Sequence, residues 1–138
     1  MRRLFLGVLC IALAACGSDK TTGPDSNLSF AGTYSLRTIN GSNLPYVFLQ
    51  SGQTSAIMTD DAITIADGGT WSEQGTLRIT TNGQTSNQVY SDNGTWLRSG
   101  NSLALYSNPY NNTAYSGTFS ANRLTLVDGG SLTYVFGR

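Results

Sequence analysis

The sequence predicts an all-β domain, an antiparallel up-and-down meander of 8–10 strands that closes into a barrel. Three observations predict it. Apolar and polar residues alternate over short runs, as at Ile63 and Ile65, Leu77 and Ile79, Leu103 and Leu105, Leu124 and Leu126, and Leu132, Tyr134 and Phe136. A period of two is the mark of a half-buried strand. Turn-forming residues cut these runs at short intervals, and no eleven-residue window carries a helical stripe.

The chain begins with an address. Met1-Arg2-Arg3 is a short cationic start to the apolar run Leu4 to Leu13, which closes on Ala14-Ala15-Cys16. Charge, apolar core and small residues in that order make residues 1–15 a secretory signal peptide, and an apolar core of about ten residues is too short to span a bilayer. Leu13-Ala14-Ala15-Cys16 resembles the bacterial lipobox. The resemblance implies cleavage before Cys16, with diacylglycerol on its sulfur and an acyl chain such as palmitate on its amine. More than one acyl chain gives stable anchoring. It also implies the outer membrane of a bacterial envelope, because Gly17 and Ser18 stand where an inner-membrane retention Asp would be.

Cys10 then leaves with the signal and Cys16 carries lipid, so the mature chain keeps no thiol for a disulfide or a metal site. Removing Arg2 and Arg3 leaves six positive residues against eight negative, which does not favour adhesion to an anionic surface. The polar stretch Gly17 to Asn27 has no apolar period, and residues 16–27 form a flexible tether of about 20 Å. Residues 28–138 form one barrel domain.

Within that domain the alternation places strands near 32–39, 45–50, 54–66, 70–80, 85–91, 94–98, 102–107, 113–119, 123–127 and 131–136, the third broken at Asp60-Asp61. Asn40-Gly41 and Asn82-Gly83 suit tight type I′ hairpins, since both residue types tolerate positive φ. Asp67-Gly68-Gly69, Asp92-Asn93-Gly94, Ser99-Gly100-Asn101 and Asp128-Gly129-Gly130 fit short hairpin loops, and Asn108 to Asn112 a longer one. A sheet this large with one apolar face loses its exposed edges by closing on itself.

Gly-Thr-aromatic occurs four times, at Gly32-Thr33-Tyr34, Gly69-Thr70-Trp71, Gly94-Thr95-Trp96 and Gly117-Thr118-Phe119. The spacings of 37, 25 and 23 residues are too irregular for a solenoid and suit a reused hairpin unit. In each, Gly would relax the bend entering a strand and the aromatic would sit just inside the wall. The segment Gly32 to Pro45, with its Asn-Gly-x-x-Leu-Pro turn, resembles the opening strand of small bacterial lipocalin-like lipoproteins. The later hairpins and the closing Leu132 to Arg138 fit the same pattern, although Tyr34 stands where lipocalins proper carry Trp. The resemblance implies a lipocalin-like barrel in which Tyr34 of the first strand is covered by Arg138 from the last, with Arg123 as the other candidate.

Composition removes several chemistries. Charged residues are 12% of the chain, His is absent, and the formal net charge is zero. Without His there is no Ser-His-Asp or Cys-His nucleophile and no imidazole metal site. Without a basic cluster beyond Arg2-Arg3 the footprint of a nucleic-acid binder is missing. Asp60-Asp61, Asp67, Asp92 and Asp128 are the carboxylates available for acid–base work or calcium. Each falls at an expected hairpin tip, where Asp caps a turn, and the calcium loop pattern is absent. No catalytic residue, metal or cofactor is expected, and the protein reads as a non-enzyme.

The aromatics are the stronger lead. Tyr34, Trp71, Trp96, Phe119, Tyr134 and Phe136 either fill a narrow barrel or line a site for one small apolar ligand. The resulting expectation is an envelope lipoprotein, held to the membrane by its N-terminal lipid, that binds a small apolar molecule or serves as a structural envelope component. The alternative is a module that binds an envelope protein, such as an anchored hydrolase inhibitor, through loops and outward Tyr46, Tyr110 and Tyr115.

Overall fold

Asn40 and Gly41 have φ of 50° and 79°, and Asn82 and Gly83 have 52° and 77°. Two consecutive positive φ values define the type I′ turn, whose twist matches that of the strands it joins. These values come from a computed structural model, which describes residues 30–138. The expected signal peptide, the lipobox-like segment with Cys16 and the expected tether lie outside the described residues.

Ten strands follow in order: Gly32–Ile39 (β1), Ser42–Asn43 (β2), Tyr46–Ser51 (β3), Thr54–Ile65 (β4), Thr70–Thr81 (β5), Gln84–Ser99 (β6), Ser102–Ser107 (β7), Asn112–Ser120 (β8), Arg123–Asp128 (β9) and Thr133–Gly137 (β10). No helix interrupts them. From β3 to β10 each strand pairs antiparallel with the next. The first strand then closes the wall. β1 pairs with β10 on one side, and its Gly32–Ser35 half pairs with Ala62–Ile65 of β4 on the other. β1 and β4–β10 thus form a closed antiparallel barrel of eight strands, with β2 and β3 outside the ring.

Two expected breaks are absent. Asp92-Asn93-Gly94 is not a hairpin loop: it lies inside β6, which merges the strands expected over 85–91 and 94–98. The ladder with β5 runs unbroken from Thr70↔Thr95 to Thr81↔Gln84, and twelve paired residues outweigh a local turn preference. Asp60-Asp61 likewise does not end a strand. The register shifts between Met58 and Asp60, a β-bulge that lets β4 bend while it stays paired with β5.

The barrel wall is uneven in height. β4, β5 and β6 extend beyond the ring, where β4 pairs with β3 and β6 pairs with β7 only from Gly94 onward. The result is a four-stranded flap, β3–β4–β5–β6, standing above one mouth of the barrel. Below it the interior is packed by Tyr34, Leu36, Ile39, Ile63, Ile65, Trp71, Leu105, Phe119, Leu124, Leu126 and Phe136, all buried.

Candidate functional site

Cross-strand register arranges the inner face of β4, β5 and β6 in rows. At the mouth lie Ala56, Ile79 and Ser86, then Met58, Leu77 and Gln88. Next come Asp61, Gly75 and Tyr90, then Ile63, Glu73 and Asp92, and lowest Ile65, Trp71 and Gly94. Apolar residues at the mouth therefore give way to an acidic layer, with an aromatic floor beneath.

Alternation fixes which carboxyls point inward. Asp61 shares its face with Ile63 and Ile65, and Glu73 shares its face with Trp71 and Leu77. Both acids are 4% exposed. The Tyr115 hydroxyl, reaching across from β8, donates to Glu73 Oε1 at 2.7 Å. Glu73 and the Tyr90 hydroxyl are the polar side chains nearest in effect to Asp61. Both Asp61 oxygens are buried without a hydrogen bond. A proton held on Glu73 would give Asp61 the donor it lacks.

The electrostatics agree with a shared proton. Burial first, then the neighbouring Asp61 charge, pushes Glu73 up to about 9. Burial also raises Asp61, to about 6, against the lowering contacts of Glu73 and Tyr90. The other charged groups acting on the pair, Asp60 and Asp92, are also negative. Two carboxyls in a site of low dielectric cannot both ionise without a large penalty, so they keep a proton at neutral pH. Burial and the same acids raise Tyr90 and Tyr115, which stay neutral donors.

Glycine makes room for this layer. A Cβ on Gly75 would collide with the Tyr90 phenol, which lies across β5 and reaches Met58 Sδ at 3.6 Å. Tyr90 is half-buried and separates the acid pair from the open mouth. Asp92 accepts from Ser107 Oγ at 2.8 Å, and Asp128 accepts from Tyr134 at 3.1 Å.

The opposite end of the barrel is aromatic and cationic. Phe30 packs edge-on against Trp96 and Phe119, each with ring centroids 5.0 Å apart, and Phe119 meets Tyr34 at 6.3 Å. The Arg98 guanidinium lies over Phe30 and Phe119 at 5.2 and 5.3 Å. Arg138 lies 4.5 Å from the Tyr34 ring centroid and also donates to the Phe30 and Ala31 carbonyls. Arg123 is exposed on β9 and faces away.

Of the six aromatics singled out in the sequence, Tyr34, Trp96 and Phe119 gather at this cationic end. Trp71, Tyr134 and Phe136 belong to the other half, where Tyr115 bridges Trp71 and Tyr134 at 6.2 and 5.6 Å. All six pack in or against the core. The three tyrosines expected to face outward divide. Tyr110 is exposed, Tyr46 is half-buried at the mouth, and Tyr115 points inward to Glu73 because strand parity leaves it no other face. Asp61 and Asp92 are likewise not turn caps, whereas Asp128 is one: its Oδ1 accepts from the Gly130 and Leu132 amides.

Sequence reasoning passed over Glu73, although it is the only Glu in the chain. The signal was available in its parity, since a lone acid stands at an inward position between Trp71 and Leu77. The concave outer surfaces, of about 640 Å³ over β4–β6 and about 900 Å³ beside Arg37 and Arg123, are open grooves on the wall. Among the described residues no cluster of three or more metal-ligating side chains occurs. No protein-family model matches the chain, and no curated protein or solved structure shows significant similarity to it.

Proposed function

We propose that this protein is a lipid-anchored bacterial envelope lipoprotein whose lipocalin-like barrel binds a small amphiphile at its open mouth. The observation that carries the reading is the order of the inner rows. Half-buried Tyr46, Leu77 and Ile79 stand open to solvent directly above a buried acid pair on which, among the described residues, the charged groups acting are other acids. An apolar body would lie on the flap, and a basic or hydrogen-bonding head would reach the pair once Tyr90 swings aside. Apolar walls with a few convergent polar groups are the usual make-up of a ligand site. The anchor rests on Leu13 to Cys16, and an envelope location follows from it. In this reading the acids bind rather than catalyse, and no cofactor is needed.

Trp71 lies on the same inner face two residues from Glu73, so its fluorescence reports on the site. Titrating the detergent-solubilised protein with decylamine, decanol and decanoate is expected to give a saturable shift, largest for the amine. A flat response to all three, with no small molecule retained in native mass spectrometry, overturns the reading.

A second reading has its own support. Tyr110, in the loop between β7 and β8, is 71% exposed. Tyr is enriched at protein interfaces, and an exposed Tyr on a loop supports a protein partner such as an envelope hydrolase. A protein retained in the same native mass spectrum, with no small molecule, favours this reading.

A further inference from the structure

β6 is sixteen residues long, yet its second neighbour β7 covers only the segment from Gly94 to Ser99. Asn93 is met by the Asn108 amide at 2.8 Å. From Gln84 to Asp92 the far side of the strand pairs with no other strand among the described residues. An open strand edge is a template for another strand, and proteins usually blunt it with charge, proline, a bulge or a cover.

The two edges of the flap differ in this respect. β3, at one edge, starts just after Pro45 and carries a register shift between Val47 and Leu49. β6, at the other, has neither proline nor bulge, and its ladder with β5 is regular throughout. Gln84-Thr85-Ser86-Asn87-Gln88-Val89-Tyr90-Ser91 contains no charged residue. Val89, in the middle of this stretch, turns its side chain to the outer face and is 62% exposed.

We infer that β6 pairs antiparallel with β6 of a second copy, about a two-fold axis through Val89. This register sets Val89 against Val89 of the partner and Tyr90 against the partner's Gln88. Asp92, the one charged residue of β6 between Gln84 and Asp92, falls opposite the partner's Ser86 instead of its own counterpart. The uncharged edge is thus self-compatible, as an isologous contact requires. The flaps merge into one sheet with four strands from each copy, and both apolar inner faces lie on the same side. A pairing of about seven residues a side, from Ser86 to Asp92, is small for a protein interface, so the dimer is a reversible, concentration-dependent one.

The test is sedimentation velocity of the full chain in detergent over a wide concentration range. It compares wild type, Val89→Lys, Val89→Glu and an equimolar mixture of the two variants, with Trp fluorescence checking the fold. Wild type is expected to shift from monomer to dimer as concentration rises. Each variant alone should need at least tenfold higher concentration, because like charges meet at the axis, and the mixture should recover the dimer. A wild type that stays monomeric overturns the proposal. So do variants that dimerise as readily as wild type, which would place association in another surface or in the micelle. A mixture no better than its components also overturns it, by removing Val89 from the axis.

Discussion

The Arg138 guanidinium carbon lies 4.5 Å from the Tyr34 ring centroid, joining the strand that opens the barrel to the one that closes it. Tyr34 is fully buried, and its hydroxyl donates to the Phe30 carbonyl at 2.7 Å. A cation over an aromatic face contributes roughly 0.5–2 kcal/mol, depending on desolvation. Tyr34→Ala is expected to cost about 3 kcal/mol or more, mostly from lost burial. Arg138→Ala is expected to cost about 1 kcal/mol. Urea denaturation of both single mutants and the double mutant should show clear non-additivity, and additive effects would remove the coupling.

The acid pair makes stability fall as pH rises. Glu73 ionises near 4.5 when unfolded and near 9 when folded, and Asp61 moves from 3.8 to about 6. The folded state therefore binds more protons between about pH 4 and pH 9. Its advantage is complete below the unfolded values and is lost as pH passes the folded ones. One proton is equivalent to at most about 1.4 kcal/mol per pH unit. Glu73→Gln should flatten the fall, and Tm measured from pH 4 to pH 9 checks it. An equally steep profile in Glu73→Gln would place the titration elsewhere.

Tyr115→Phe removes the hydroxyl that donates to Glu73 at 2.7 Å while keeping the ring against Trp71 and Tyr134. An unsatisfied buried acceptor costs about 1–3 kcal/mol. The loss should be larger at pH 10 than at pH 5, because Tyr115 supports the ionised form of Glu73, which the folded protein reaches only near pH 9. Chemical denaturation at the two pH values reads the difference.

Gly94 faces the interior of β6, and a Cβ there would collide with the Tyr106 carbonyl and crowd the Trp71 indole. Gly94→Ala is expected to destabilise the barrel by about 2–3 kcal/mol, since backbone must move. Gly41→Ala meets no atom and strains only a positive φ of 79°, for a cost of about 1 kcal/mol. Parallel urea titrations rank the two.

Cys16→Ala tests the anchor. Metabolic labelling with a palmitate analogue should be lost, and an unprocessed precursor should accumulate. Normal maturation of the mutant would refute lipidation at Cys16.

Period-two runs and Asn-Gly turns were enough to predict an antiparallel, strand-only barrel, because alternation and turn geometry are local properties. The closure of Tyr34 by Arg138 came from resemblance, since nothing local ties residues so far apart in sequence. The Gly-Thr-aromatic repeat was right about the aromatics and only half right about the glycines. Gly32 and Gly69 do relax a strand entrance at positive φ, but Gly94 and Gly117 sit mid-strand where another backbone leaves no room for a side chain. The acid layer needed the tertiary structure altogether. Asp61 and Asp92 each stand beside residues that read as turns, and only a twelve-residue ladder and a bulge hold them in strands with Asp61 facing inward. Whether a carboxyl is an exposed cap or a buried acid depends on which strands run past it. That is a non-local outcome, decided when pairing across the sheet outweighs the preference of three residues to turn.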